Sequence, residues 1–354
     1  MKNKLGYVLA CIVATTMLFG CGNVGKTTEV ATSPQAVNGE ELNVIATVFA
    51  PYDFARQVVG DLGEVTMLLP PAAESHSYEP TPQDIIKIQE CDVFIYTGGE
   101  SDEWVTDVLA SIGNEDIQVI KMVDVVDAVE EELVEGMQAH EHEHSEEAHE
   151  GEDEHEHEHS EEAHEEEHKH EHEHSEGEVE YDEHVWTSPK NAIKIVEAIE
   201  DAVSEADMTN SEAYKANTMN YVAELEALDK TFQEVVDGAV RKEVVFADRF
   251  PLRYFVEEYG LEYYAAFPGC STDTEPSAAT VAFLIDKVKE DQIPVVFHIE
   301  LSNEKMADTI CEATGAKKLL FNACHNLSKE EFENGMTYVE AMQGNVEVLK
   351  EALY

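Results

Sequence analysis

The chain has 354 residues, 43% of them hydrophobic, which allows two or three packed domains. Against 76 Asp and Glu stand only 22 Lys and Arg, a formal net charge of −54. That balance excludes non-specific nucleic-acid binding and a basic membrane-surface role, and it disfavours acidic substrates; a field of this sign gathers cations.

In chain order, Lys2 and Lys4 precede an apolar run from Leu5 to Leu18, the pattern of a signal peptide and too short for a membrane span. The run ends in Leu18-Phe19-Gly20-Cys21, which resembles the bacterial lipobox. Residues 1–20 are therefore read as a cleaved signal, Cys21 as a lipidated N-terminus, and residues 21–40 as a flexible tether. These readings imply an exported chain, lipid-anchored at the extracytoplasmic face of the cell membrane.

From residue 41 strand and helix patterns alternate. Strands are expected at Leu42–Phe49, Glu64–Leu69, Asp92–Tyr96 and Ile117–Met122, and helices at Pro51–Val59, from Thr81-Pro82-Gln83-Asp84, and at Trp104–Ile112. A second series places strands at Glu243–Ala247, Glu262–Phe267, Pro294–Glu300 and Lys317–Phe321. Its helices are Leu252–Tyr259, Ser277–Glu290, Asn303–Thr314 and one terminal helix from about Lys329 to Leu353. Between the series, Ala213, Ala216, Met219, Val222, Leu225, Leu228, Phe232 and Val235 recur at steps of three or four. The expected fold is α/β, with two lobes, each a parallel sheet flanked by helices, joined by one long rigid helix. The lobes span 41–210 and 239–354, the joining helix 211–238, and a ligand cleft lies at the carboxyl ends of the strands.

Residues 138–180 interrupt the first lobe. His-Glu-His-Glu-His-Ser starts at His140, His155 and His170, a period of 15. From His140 to Glu183 there are 22 acids and one Lys. Twelve of the 16 histidines fall here: His140, His142, His144, His149, His155, His157, His159, His164, His168, His170, His172 and His174. A stretch with so little to bury is expected to be disordered, and its imidazoles and carboxylates offer several weak sites for divalent metals, zinc above all.

Four histidines remain. His76 lies in Ser75-His76-Ser77-Tyr78-Glu79-Pro80-Thr81-Pro82-Gln83-Asp84, after the second strand, and His184 lies in Asp182-Glu183-His184-Val185-Trp186-Thr187-Ser188-Pro189, before a helix. The first loop resembles Pro-His-x-Tyr-Glu-x-x-Pro-x-Asp and the second Asp-Pro-His-x-Trp-x-x-Pro, with Ser75 and Glu183 in place of the prolines. These are motifs of the metal-binding solute-binding proteins of bacterial ABC transporters, the zinc and manganese cluster. A His-rich loop between them is typical of the zinc branch, and the lipobox, strut helix and two lobes match as well. The resemblance implies that His76 and His184 are metal ligands from the N-terminal lobe. It also implies capture of Zn2+, with Mn2+ as the alternative, and delivery to a membrane permease by a monomer.

The family's usual third ligand has no counterpart, since Ala247 and Arg249 occupy the corresponding places and Asp248 is the donor between them. Glu300 is the preferred replacement, two residues beyond His298 on one strand face. Asp248, His298 and His325 compete for a fourth position. A surface metal-storage or adhesin lipoprotein remains an alternative, but leaves His76 and His184 without a task. An exported zinc hydrolase would need an HExxH helix or a clustered His/Asp set, and none is read here. Finally, Cys270 and Cys324 each follow a strand of the second sheet and are expected to form a disulfide at its carboxyl edge, leaving Cys91 and Cys311 free, with Cys311–Cys324 as the competing pair.

Overall fold

The computed structural model describes residues 41–114, 116–137, 181–271 and 276–354. The expected signal peptide, Cys21 with its tether, and the twelve tract histidines lie outside the described residues. Among the described residues no helix is long and apolar enough to cross a membrane.

The N-terminal lobe carries β1 (Leu42–Ala46), β2 (Gly63–Met67), β3 (Val93–Tyr96) and β4 (Gln118–Lys121). They pair in parallel in the order β2-β1-β3-β4. Helices α1 (Phe49–Val59), α2 (Pro82–Gln89) and α3 (Trp104–Ile112) make the crossovers. The sequence sets these starts chemically: Thr81 and Asp84 form a reciprocal capping box on α2, with Pro82 in the first turn.

The C-terminal lobe repeats the scheme. Its strands β5 (Glu243–Phe250), β6 (Glu262–Pro268), β7 (Val295–His298) and β8 (Lys317–Leu320) pair in parallel in the order β6-β5-β7-β8. Helices α6 (Arg253–Tyr259), α7 (Ala278–Glu290) and α8 (Lys305–Thr314) connect them. Because all strands of a sheet run one way, both sheets deliver their loops at their carboxyl edges.

Two helices lie between the two sheets in sequence, α4 (Pro189–Ala206) and α5 (Ser211–Gly238). At 28 residues α5 runs unbroken for about 42 Å. Tyr214, Tyr221, Leu225, Leu228, Phe232 and Val235 bury one face of it. A single apolar core joins β1 and α1 to α4, α5, β5 and the C-terminal helix, so the inter-lobe space is packed. Smaller cores sit under α7 and α8 in one lobe and under α2 and α3 in the other.

Several boundaries differ from the sequence expectation: β1 stops at Ala46 and α1 already begins at Phe49, while β5 runs on from Ala247 to Phe250. The terminal helix is two, α9 (Lys329–Glu333) and α10 (Tyr338–Leu353), because Gly335 turns left-handed at φ 75° and Thr337 starts α10 with its own capping box. The strand expected to reach Glu300 stops at His298, and Leu301 at φ 60° reverses the chain. That early stop separates His298 from Glu300, which alternation would have kept on one face.

Candidate metal centre

Three loops converge between the sheets. His76 comes from the loop after β2, His184 from the segment before α4, and His325 from the loop after β8. Their ring centroids lie 4.7 to 5.6 Å apart, and one nitrogen from each lies within 4.8 Å of the others. Trp186 stands edge-on to both His184 and His325 at 5.5 Å, and its indole N–H donates to Ala323 O at 2.8 Å.

Each imidazole is held by its Nδ1. His184 Nδ1 lies 2.9 Å from Asp182 Oδ1, which also accepts from the His184 amide. His76 Nδ1 donates to Ser101 Oγ at 2.8 Å, and that hydroxyl donates onward to Glu183 Oε1 at 2.5 Å. His325 Nδ1 faces Glu300 Oε1 at 3.4 Å, while the amides of His325 and Ala323 donate to the same carboxylate at 2.9 and 2.7 Å. With the proton on Nδ1, each Nε2 presents a lone pair. All three Nε2 atoms are buried and have no hydrogen-bond partner. A carboxylate behind each ring fixes the tautomer that a metal requires.

Burial, with the neighbouring imidazoles and Arg249, holds His76 and His184 well below the ordinary histidine pKa, so both are neutral at pH 7. Burial pushes Asp182 and Glu183 up to about 7 against the hydrogen bonds they accept. Burial would raise Glu300 too, but contact with His325 and two amides keeps it below the usual carboxylate range.

Close packing makes room for this arrangement. A Cβ at Gly269 would meet the His184 ring at 2.9 Å, and one at Gly99 would collide with the Glu183 carboxylate. Cys324 takes φ 59°, a left-handed turn that aims the flanking amides at Glu300. The loop from Phe321 to Leu327 belongs to the second sheet by sequence but is stitched to the first lobe. Phe49 N donates to His325 O at 3.0 Å, Ala72 N to Leu327 O at 2.8 Å, and Asn326 Nδ2 to Pro70 O and Ala73 O.

The structure thus brings together His76, His184 and His325 of the residues proposed from sequence. Glu300 stands one bond behind His325, with its oxygens on backbone amides. Asp248 turns away to accept from Arg249 N at 2.9 Å and Ile299 N at 3.3 Å, shaping the β5 and β7 ends. His298 contacts Ile299 O at 3.1 Å and lies in the field of Glu304, away from the trio. Sequence reasoning missed Ser101, whose neighbourhood carries no signal. It also gave no bracing role to Asp182 and Glu183, although both stand in the motif around His184.

The cysteine expectation is corrected. Cys91, Cys270, Cys311 and Cys324 are all free. β6 and β8 are the two opposite edges of their sheet. Three strand spacings, about 14 Å, separate chain ends that a disulfide would need within about 4.4–6.8 Å. Cys270 Sγ lies instead within 4.8 Å of Glu183 and His184 ligand atoms. Cys324 is buried in the field of Glu300 and Asp53.

The neck of the His-rich tract adjoins the centre. Glu130 bridges Tyr181, Asp182 N donates to Val129 O at 3.0 Å, and Val129 N donates to the Tyr254 hydroxyl at 3.2 Å. Tyr181 is three residues from His184.

With this geometry in hand, known proteins fall into place beside it. A family model described as zinc-uptake complex component A, periplasmic, matches residues 44–352. The chain is 34% identical over 346 residues to the high-affinity zinc uptake system protein ZnuA of Bacillus subtilis (strain 168), covering 98% of this chain and 96% of that one. It is 31% identical over 325 residues to the zinc-binding lipoprotein AdcA of Streptococcus pneumoniae serotype 4, covering 91% of this chain but 58% of that longer protein. The crystal structure of the Zn(II)-bound ZnuA-like domain of Streptococcus pneumoniae AdcA superposes with a TM-score of 0.67 at 27% identity, covering 88% of this chain and 99% of that one.

Proposed function

Because the chain belongs to the family of periplasmic zinc-uptake component A proteins, we propose that His76, His184 and His325 form the site that captures Zn2+ outside the cytoplasm. Members of this family are substrate-binding proteins of ABC transporters and not enzymes. Zinc here is cargo, and the protein passes it to a membrane permease. Anchoring through a lipid on Cys21 and action as a monomer belong to the same reading.

One observation carries the ligand assignment: three buried Nε2 atoms converge without a partner, each on a ring whose Nδ1 is engaged. Orphaned buried nitrogens are costly unless something occupies the space they face. Imidazole suits zinc, and three protein nitrogens leave a fourth position of the tetrahedron. The His-rich tract supports zinc over manganese and adds weak sites beside the neck.

Calorimetry tests the assignment. The full chain should show one tight zinc and several weak ones. His325→Ala should lose the tight phase and retain the weak ones. Tight binding that survives in His325→Ala would overturn the assignment and return Glu300 or Asp248 to candidacy.

A further inference from the structure

Residues 70–81, which carry His76, belong to neither helix nor strand, so contacts from outside the segment must set where that ring lies. The segment opens on a tight turn. Ala73 N donates to Pro70 O at 3.0 Å, Pro71 takes the second place, and Ala72 takes the third at φ 68°. This is the pattern of a type II turn, whose third place normally holds glycine. Alanine is strained there, and the conformation persists only where its surroundings enforce it.

Those surroundings are three consecutive residues that begin with His325. His325 O accepts from Phe49 N at 3.0 Å, and Leu327 O accepts from Ala72 N at 2.8 Å. Asn326, between them, is 1% exposed. Its Nδ2 donates to Pro70 O at 2.8 Å and to Ala73 O at 2.9 Å, the carbonyls at the two ends of the turn. Its Oδ1 accepts from Leu327 N at 2.8 Å. Both amide protons are thus engaged on the His76 loop. The orientation of the amide is fixed as well, since a flipped one would set its oxygen against two carbonyls.

We propose that Asn326 is a positioning residue for metal capture: its side-chain amide holds the turn at Pro70–Ala73, and through it His76, at the place where one ion can meet His76 and His325 together. The proposal rests on the reading that the three histidines bind zinc. Asn326 is the next residue after His325, and Ala73 is three residues before His76, so the amide is a short link between two ligands that are distant in sequence. Without it Ala72 relaxes to negative φ and the chain leading to His76 changes direction. An ion then keeps His184 and His325 and loses the third imidazole. The substitution of a neutral side chain leaves the field that draws cations unchanged, so the loss falls on dissociation and not on encounter.

The test uses the full chain, with Zn2+ dissociation followed by stopped-flow chelator capture and Co2+ as the spectroscopic probe. Asn326→Ala should speed Zn2+ dissociation roughly 10- to 100-fold, keep the association rate within about twofold, and change the Co2+ d–d spectrum. Asn326→Asp keeps the acceptor for Leu327 N and loses both donors, so it should change the spectrum as alanine does. Ala72 is exposed, so Ala72→Val burdens only the backbone of the turn; it should also speed dissociation, which tests the link even if Asn326→Ala does not fold. Glycine accepts φ 68° freely, and Ala72→Gly added to Asn326→Ala should restore several-fold of the slow dissociation. The proposal falls if Asn326→Ala keeps the wild-type dissociation rate and spectrum. It falls equally if Asn326→Asp keeps the wild-type spectrum, which would give Asn326 a role only in shaping its own loop, or if Ala72→Val dissociates as the wild type does. His184→Ala separates the two levels. Tight binding that persists in that variant refutes the histidine site itself; tight binding lost there but unchanged in Asn326→Ala refutes only the role of Asn326.

Discussion

The two lobes share one topology and divide the chemistry unequally. Their sheets have the same order, so each loop of one lobe has a counterpart in the other. After the second strand of the first lobe comes His76; after β6, its counterpart, come Gly269 and Cys270, which give the His184 ring room to pack. After the third strand each lobe supplies a brace, Ser101 with Glu183 behind it on one side and Glu300 on the other. The first strand of the C-terminal lobe carries Arg249 one residue before its end at Phe250, and the guanidinium pairs with Glu74 on the loop of His76. The fold determines where loops meet, and the residues at those places decide whether a loop binds, braces or opposes a cation. His325 is the informative exception. It follows a strand of the second sheet, yet its loop is hydrogen-bonded to Phe49, Pro70, Ala72 and Ala73 of the first lobe. All three imidazoles are thereby tied to the N-terminal lobe, so shifting the second sheet need not pull them apart.

The strongest way to break this comparison is to remove an imidazole from each side. His184→Ala and His325→Ala should each abolish tight zinc binding, whereas His298→Ala should leave it intact, since His298 lies away from the trio. Chelator competition at pH 7.5 reads all three. Equal loss in His298→Ala would mean that the second sheet contributes more than the loop after β8.

The braces come next. Asp182→Asn and Glu300→Gln should each weaken binding about 10- to 100-fold, the usual cost of disturbing the partner behind a metal-bound histidine. Glu300→Gln should also lower thermal stability, because one carboxylate oriented two amides and a ring. A variant with unchanged affinity would show its ring to be held by packing alone.

These residues differ in how visible they were. His76 and His184 were legible because each sits in a local motif whose turn residues and following helix are coded within ten positions. The two-sheet fold and the long helix were legible from periodicity over longer windows. Glu300, His298 and His325 were not assignable, because their roles depend on the chain reversing at Leu301 and on Cys324 adopting a left-handed turn. Neither residue type announces such a conformation. The cysteine pairing failed for a related reason: strand sequence gives the edge at which a loop emerges but not the order of strands along that edge.

A smaller effect separates the acids of the two lobes. Asp182 and Glu183 are pushed up to about 7 by burial, whereas Glu300 lies below its ordinary value. In the empty site at pH 6 the first two hold protons and Glu300 does not. A dication at the rings favours the ionised acids, so binding releases those protons. Affinity should therefore fall as pH drops below 7, by about tenfold per pH unit for each proton displaced, and should be flat near pH 8. His76 and His184 add nothing to that slope, since their pKa values lie well below 6.5. Calorimetry in buffers of differing ionisation enthalpy counts the protons. Glu183→Gln should reduce the count and Glu300→Gln should not. No release at pH 6 would contradict the assignment.

The smallest expected effect concerns Cys270 and Cys324, which the two-lobe comparison places on different sides of the centre. Cys270 lies against Glu183 and His184, while Cys324 is buried near Asp53 and Glu300. Burial, followed by those carboxylates, raises both thiol pKa values well above the ordinary range, so neither forms the thiolate that begins disulfide exchange. Their strands occupy opposite edges of the sheet, so a bridge would require one loop to leave the ligands it now supports. Mass spectrometry of protein alkylated while unfolding, without reductant, should find Cys91, Cys270, Cys311 and Cys324 all modified. Cys270→Ser should keep tight zinc binding within about twofold, because the thiol has no part in the three-histidine site. A Cys270–Cys324 crosslinked peptide would mean that the loops after β6 and β8 approach one another, and the separation between braced and unbraced sides of the cleft would then have to be redrawn.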